Sequence, residues 1–197
     1  LTECYNKKIK KDFMVNSEYR LNLVSDYLTK ISLSEDIKNY FIGRNILVTG
    51  GAGAIGSNLV IALSELVGDQ GMVVVMDNLS AIKGNDTIDF PSLSNVMFVK
   101  GDVRNDVDLK RVFRERPTIV YHLAAFFANQ NSVDYPENSA DVDINGMIKL
   151  LDISQFTDVE RFVYASSGCA IYGSYGKMPL KEDFISMHLT TPYQINK

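Results

Sequence analysis

Between Asn45 and Ser64 the chain carries no charged residue, yet Gly50, Gly51, Gly53 and Gly56 interrupt it. A run of that length and polarity raises the question of a transmembrane helix. Four glycines within seven residues answer it, because each lowers helix stability and frees the backbone to turn. The stretch divides instead into a short apolar strand, Ile46 to Thr49, a glycine turn, and a helix from Ser57 to Leu66. In that helix Leu59, Val60, Leu63 and Leu66 recur at helical spacing.

The same alternation continues along the chain. Met72–Met76 is a wholly apolar run suited to a strand covered on both faces. Val96–Val99, Ile119–His122 and Phe162–Ala165 predict three further strands. Val107–Arg114 and Ile144–Ser154 predict helices between them. Strands alternating with helices specify a parallel sheet with helices on both faces, the α/β class. No repeat at solenoid periods and no low-complexity segment interrupts the pattern.

Residues 1–44 differ from the rest. They hold eight Lys/Arg against six Asp/Glu, about +2, which leaves about −6 for the remainder of a chain of net charge −4. Leu21, Val24, Leu28 and Ile31 follow helical spacing, as do Ile37, Tyr40 and Phe41. Ser34 before Glu35 and Asp36 predicts a helix start, and Gly43 a stop. We read this segment as a helical extension and residues 45–197 as the main domain. Lys7, Lys8, Lys10 and Lys11 are read as a solvated face, with a basic docking arm as the other reading. No apolar segment follows them, so they do not form a secretory signal.

Composition removes several function classes. A net charge of −4 in 197 residues is not that of a nucleic-acid-binding domain. Two cysteines, Cys4 and Cys169, build no disulfide framework. Neither they nor His122 and His188 fall at zinc-ligand spacing, so no metal site is expected. The expected location is the cytoplasm, with reduced cysteines and no membrane span.

The chemistry-bearing residues lie at the predicted strand ends. Thr49-Gly50-Gly51-Ala52-Gly53-Ala54-Ile55-Gly56 joins a strand to a helix, where glycines allow a tight turn and a close backbone approach to a pyrophosphate. The N–H groups of Gly53, Ala54, Ile55 and Gly56 and the positive end of the helix then face the phosphates. The next strand ends at Asp77, 21 residues after Gly56. A carboxylate there accepts hydrogen bonds from the adenosine ribose hydroxyls and repels a 2′-phosphate. With no arginine among Asn78, Leu79, Ser80 and Ala81, NAD is favoured over NADP. At the far end, Tyr193-Gln194-Ile195-Asn196-Lys197 is Tyr-x-x-x-Lys, with Pro192 suited to a first helical turn. Positions i and i+4 share a helix face, so the Lys197 ammonium is expected beside the Tyr193 phenol, lowering its pKa and making it a base.

Taken in order, these motifs resemble the extended short-chain dehydrogenase/reductase superfamily, within it the NAD-dependent nucleotide-sugar epimerase/dehydratase family. The resemblance covers Asn45 to Lys197. It also rests on Asp77-Asn78-Leu79-Ser80, Gly101-Asp102-Val103-Arg104, His122-Leu123-Ala124-Ala125, Ser132-Val133-x-x-Pro136, Ala165-Ser166-Ser167 and Tyr172-Gly173. It implies a Rossmann-like doubly wound sheet. It also implies that Asp102 bonds the adenine amino group with Val103 against the ring, and that Leu123, Ala124 and Ala125 line the dinucleotide. His122 is read as a satisfied strand-end residue, and Cys169 as a small buried one.

The family's catalytic serine or threonine has two candidate positions here. Counting back from Tyr172-Gly173 reaches Gly168, which has no hydroxyl, whereas aligning the strand reaches Ser167. We assign Ser167, with Ser166 as the other candidate. Asp143 stands where the family usually has asparagine, so that role is not carried over, and Phe127 stands where a lysine is common. Gly168-Cys169 follows Ser167 where 4,6-dehydratases carry Asp-Glu, and the decarboxylases' glutamate is absent. The resemblance therefore points to a nucleotide-sugar 4-epimerase acting on a UDP-hexose through a 4-keto sugar. An NAD-binding module without turnover, or a related dehydratase or reductase, is the alternative. The chain begins with leucine and stops at the lysine that ends the Tyr-x-x-x-Lys motif. We accordingly expect a piece of a longer protein, lacking its last strand or strands and a small C-terminal substrate domain, the full-length form being a homodimer.

Overall fold

The computed structural model describes residues 18–81, 92–173 and 178–197. Cys4 and the Lys7–Lys11 cluster therefore lie outside the described residues. Residues 18–30 are helical (α1), followed by α2, Glu35–Phe41. Ser34 caps α2 by accepting from the Ile37 N–H, with Glu35 and Asp36 at the positive end of the helix. Then come β1 (Asn45–Thr49), α3 (Ala54–Val67), β2 (Met72–Asp77), β3 (Val96–Lys100), α4 (Asp106–Phe113) and β4 (Ile119–His122). After β4 two short helices, α5 (Asn129–Asp134) and α6 (Pro136–Ala140), lead through a wide turn at Asp141–Asn145 into α7 (Gly146–Gln155). Strand β5 (Arg161–Tyr164) and the short α8 (Gly168–Tyr172) and α9 (Pro192–Asn196) complete the order.

All five strands are parallel, in the order β3-β2-β1-β4-β5. The sheet runs outward from β1 in both directions, so the chain switches sides between β1 and β4. That switch is the Rossmann arrangement, and it opens a crevice at the C-terminal edge where a ligand can enter. The predicted α/β class and all five strands are found, with β5 one residue earlier than the sequence pattern indicated.

Strand alternation sorts the core into two layers. Ile46 and Val48 of β1, with Val73 and Val75 of β2 and Ile119 of β4, pack under Val60, Leu63 and Val67 of α3. Leu47, Val74, Met76 and Val120 point the other way, against Leu109, Val112 and Phe113 of α4 and Leu150 of α7. Both faces of β1 and β2 are thus sealed, which is why their sequences are continuous apolar runs without alternation. No helix among the described residues is long and apolar enough to cross a membrane.

Leu150 is fully buried in the second layer while its neighbour Leu151 is exposed. Leu150→Ala is expected to cost about 2–5 kcal/mol of unfolding free energy. Leu151→Ala should change it by less than about 0.5 kcal/mol. Urea unfolding of the two variants provides the comparison.

Candidate active site

The glycine turn explains itself sterically. Gly50 has φ +70°, and a Cβ there would sit 2.6 Å from the Ala124 nitrogen at the exit of β4. A Cβ on Gly51 would lie 2.6 Å from Val75 Cγ1, and one on Gly56 would overlap the Gly50 carbonyl. Those three glycines are required by the protein's own packing. Gly53 is different. Its only near neighbour would be the Gly50 carbonyl oxygen at 3.3 Å, and otherwise a side chain there would project into the crevice. The α3 N-terminus behind it has no side-chain cap and no acidic residue in its first turn. An open cradle before free N–H groups and the positive end of a helix fits a pyrophosphate.

The crevice has two chambers that meet at Gly50, Gly53, Leu123 and Ala125. One, of about 140 Å³, is lined by Asp77, Asn78, Ser80, Asp102, Val103 and Ala124, among others. The other, of about 510 Å³, is lined by Ala54, Ile55, Gly56, Phe127, Ser167, Tyr193 and Lys197, among others. Every cofactor-binding and catalytic residue expected from the sequence therefore borders one groove. A dinucleotide has matching form, two nucleosides joined by a pyrophosphate. A larger cleft of about 790 Å³ lies away from this groove, between α1, α2 and the end of α3. Its position beyond the N-terminal ends of the strands separates it from the switch point.

Two acids of the smaller chamber differ in what they have left to offer. Asp77 accepts one N–H on each oxygen, from Leu79 at 2.8 Å and Ala52 at 3.0 Å. One lone pair remains on each oxygen for a diol. Asp102 instead accepts from the Arg104 side chain at 2.9 and 2.8 Å, the Arg104 N–H at 3.0 Å and Asn78 Nδ2 at 2.9 Å. The Arg104 guanidinium holds its carboxyl well below the usual carboxylate range. All four lone-pair positions are thus filled. An adenine amino group approaching Asp102 would meet a carboxylate already engaged by Asn78 and Arg104.

At the other end, α9 carries the Tyr/Lys pair. Thr191 and Gln194 form a reciprocal capping box, and the Tyr193 N–H donates to Ser132 Oγ at 3.0 Å. Tyr193 is 8% exposed, and Ser167 beside its phenol partly offsets the effect of burial on its pKa. Both Ser166 and Ser167 line the chamber with Tyr193. Ser167 also meets Cys169 Sγ at 3.0 Å, and Cys169 is half-buried, not sealed in the core as expected. Phe127 packs edge-on to the Tyr193 ring at 6.1 Å and is 74% exposed at the mouth of the chamber.

Burial raises the Tyr193 pKa, and Lys197 is not among the charges that offset it. The ammonium lies 4.3 Å above the Tyr164 ring, a cation–π contact, and burial lowers its own pKa. Position i+4 gives the lysine reach, and its ammonium sits over the Tyr164 ring.

His122 was expected to be satisfied and is only half so. Its Nδ1 lies 2.6 Å from Thr49 Oγ1, while Nε2 is buried without a partner among the described residues. The ring stacks on Tyr164 at 5.7 Å. Burial, with Lys197 adding to it, lowers its pKa to about 4. Sequence reasoning singled out Ser132 only as part of a motif and passed over Ser139 and Thr191, all of which hold α9 in place. Of the two passed over, Thr191 left a usable signal, the Thr-x-x-Gln spacing of a capping box.

Fold and groove define a class: a Rossmann-like α/β protein with a two-chambered cofactor cleft at its switch point. Comparison with known proteins narrows it. The profile of the NAD-dependent epimerase/dehydratase family matches residues 46–197, and the chain belongs to that family. A putative UDP-glucose 4-epimerase of Methanocaldococcus jannaschii is 37% identical over 153 residues, covering 77% of this chain and 47% of that protein. Among solved structures, an epimerase from Methanothermobacter thermautotrophicus aligns with a TM-score of 0.75 and 48% identity, over 82% of this chain and 46% of that one. A UDP-glucose 4-epimerase of Thermus thermophilus in complex with NAD gives 0.66 and 36%, over 78% and 47%. The chain spans about half the length of the relatives it matches.

Two outcomes follow from this geometry. Gly53→Ala should keep its fold but weaken NAD binding about tenfold or more, whereas Gly50→Ala should lose folding stability because of its φ and its contact with Ala124. Thermal melts and NAD titration together separate the two. His122 has a depressed folded-state pKa, so its stabilising contribution is full above about pH 6.5 and is lost as pH falls toward 4. His122→Gln should flatten the fall in Tm across that window.

Proposed function

We propose that the protein from which this chain derives is an NAD-dependent nucleotide-sugar 4-epimerase, with a UDP-hexose as substrate. The observation that carries the reading is the juxtaposition of Tyr193, Ser167 and Lys197 in the chamber beyond the Gly53 cradle. The names of the relatives point to the same substrate class. Asp77, with one open lone pair on each oxygen, takes the adenosine ribose. Asn78, Ser80, Val103, Leu123, Ala124 and Ala125 line the adenine side, and Gly50, Gly53, Ala54, Ile55 and Gly56 hold the pyrophosphate. Bound NAD supplies the acceptor and donor of hydride at the sugar C4.

The chain's own residues manage the proton. Ser167 orients the C4 hydroxyl beside the Tyr193 phenol oxygen. Tyr193 as phenolate takes the hydroxyl proton as C4 becomes a ketone, and it returns the proton once the keto sugar has turned over. To act as a base at neutral pH, Tyr193 needs a positive neighbour, because burial alone holds its proton on. Lys197, which lines the same chamber, is the residue to supply one. The sugar's nucleotide is held by parts of the protein outside these residues. We place the enzyme in the cytoplasm, as a homodimer.

In the full-length protein, Tyr193→Phe should lower kcat about 10²- to 10⁴-fold with NAD binding retained. Ser167→Ala should cut kcat strongly and Ser166→Ala much less. A coupled assay of UDP-hexose interconversion reads all three. Turnover should leave no net reduced nicotinamide, and steady accumulation of it would sink the epimerase reading.

A further inference from the structure

The helical extension makes direct contact with the helix that opens the cofactor cleft. The family profile begins at residue 46, so α1 lies ahead of the matched part. Along α1, Arg20, Leu21, Val24, Ser25 and Leu28 are half-buried, whereas Tyr19, Leu23 and Tyr27 are exposed. Burial at i, i+4 and i+8 marks the face that α1 turns toward the domain. Arg20 Nη2 donates to Ser57 Oγ at 2.8 Å, and Ser25 Oγ donates to Glu65 Oε1 at 3.3 Å. The partner numbers rise together, so α1 and α3 run in the same direction. Arg20 therefore meets the end of α3 that faces the cleft.

That end is the weakest part of the helix. Gly53 is its N-cap and makes no side-chain bond, and Gly56 follows within the first turn. Both glycines disfavour the helical backbone. Arg20 acts on the two residues that come next. Ser57, 5% exposed, donates its backbone N–H to the Gly53 carbonyl at 2.9 Å. Asn58 Nδ2 donates to the Ala54 carbonyl at 2.8 Å, and its Oδ1 lies 3.3 Å from the same Arg20 Nη2 that holds Ser57. A guanidinium has donors only, so it keeps the amide oxygen toward itself and the amide nitrogen on Ala54. One side chain of the extension thus grips the pair whose other bonds end on Gly53 and Ala54.

We infer that Arg20 is a positioning residue for the cofactor: through Ser57 and Asn58 it sets the first turn of α3 in the form that receives the pyrophosphate of a dinucleotide. This rests on reading the Gly53 turn as the pyrophosphate cradle. Docking of α1 and binding of NAD then favour one another, because such coupling is reciprocal. The segment ahead of the domain gains a hold on cofactor occupancy without touching the cofactor.

The test titrates the NAD-free full-length protein with NAD and with adenosine, which carries no pyrophosphate. Arg20→Met should weaken NAD binding about fivefold or more. Its affinity for adenosine should stay within about twofold of wild type. Arg20→Lys, which restores a donating cation, should recover most of the NAD affinity. Ser25→Ala loosens α1 away from the cradle and should leave NAD binding within about twofold of wild type. Unchanged NAD affinity in folded Arg20→Met overturns the proposal. Equal losses of NAD and adenosine, or an equal loss in Ser25→Ala, overturn it too, since they mark a general loosening of the domain. Hydrogen exchange on the wild type gives a second measurement that needs no variant: saturating NAD should slow the amides of residues 18–30 about fivefold. Exchange indifferent to NAD overturns the coupling. Gly53→Ala separates the two readings. Wild-type NAD affinity in that variant brings down the cradle and the proposal together, whereas a loss there with none in Arg20→Met brings down the proposal alone.

Discussion

The geometry of the molecule depends on one close approach, that of Gly50 to the backbone of Leu123 and Ala124. Strands β1 and β4 are neighbours in the sheet, yet their continuations must part so that a groove opens between them. The chain leaving β1 turns there with φ +70° and no Cβ. The Gly50 N–H is held by the Met76 carbonyl at 2.8 Å and the Leu123 N–H by the Thr49 carbonyl at 3.0 Å. From that pinch α3 departs to one face and the segment after β4 to the other. Both chambers are bounded by the same few backbone atoms. A side chain at position 50 would spread the strands before it touched any ligand.

A second constraint acts through hydroxyls. Tyr193 is placed less by its own contacts than by Ser132, which takes its backbone N–H and donates in turn to the Asn129 carbonyl at 2.7 Å. Thr191 Oγ1 reaches Asn129 Oδ1 at 3.1 Å. The short helices α5, α6 and α9 have little apolar surface to bury, so small buried polar groups fix their mutual position. A network of this kind has only one satisfied arrangement, and it orients α9 more sharply than packing alone.

The fold was legible in the sequence because burial on both faces leaves β1 and β2 as unbroken apolar runs, a pattern that survives without knowledge of their partners. The glycine turn was legible for the same reason, since steric exclusion leaves only one residue type. What the linear pattern hid were relations set by electrostatics in three dimensions. The i+4 spacing set Lys197 at the same chamber as Tyr193. It carried no sign of Tyr164, which approaches from β5. Asp102 likewise sits in the right chamber, but its saturation by Arg104 and Asn78 depends on side-chain directions that spacing does not encode. Strand register favoured Ser167 over Ser166 in the sequence, and both border the larger chamber.

The division of the groove has a consequence for how the protein comes into being. The smaller chamber is walled by residues between Gly50 and Val142, whereas the larger one needs Ser167, Tyr193 and Lys197. A ribosome making this chain from its N-terminus releases the first set well before the second. The nascent protein therefore has its anchoring half before its reactive half, and α9 docks onto a scaffold that has already taken shape.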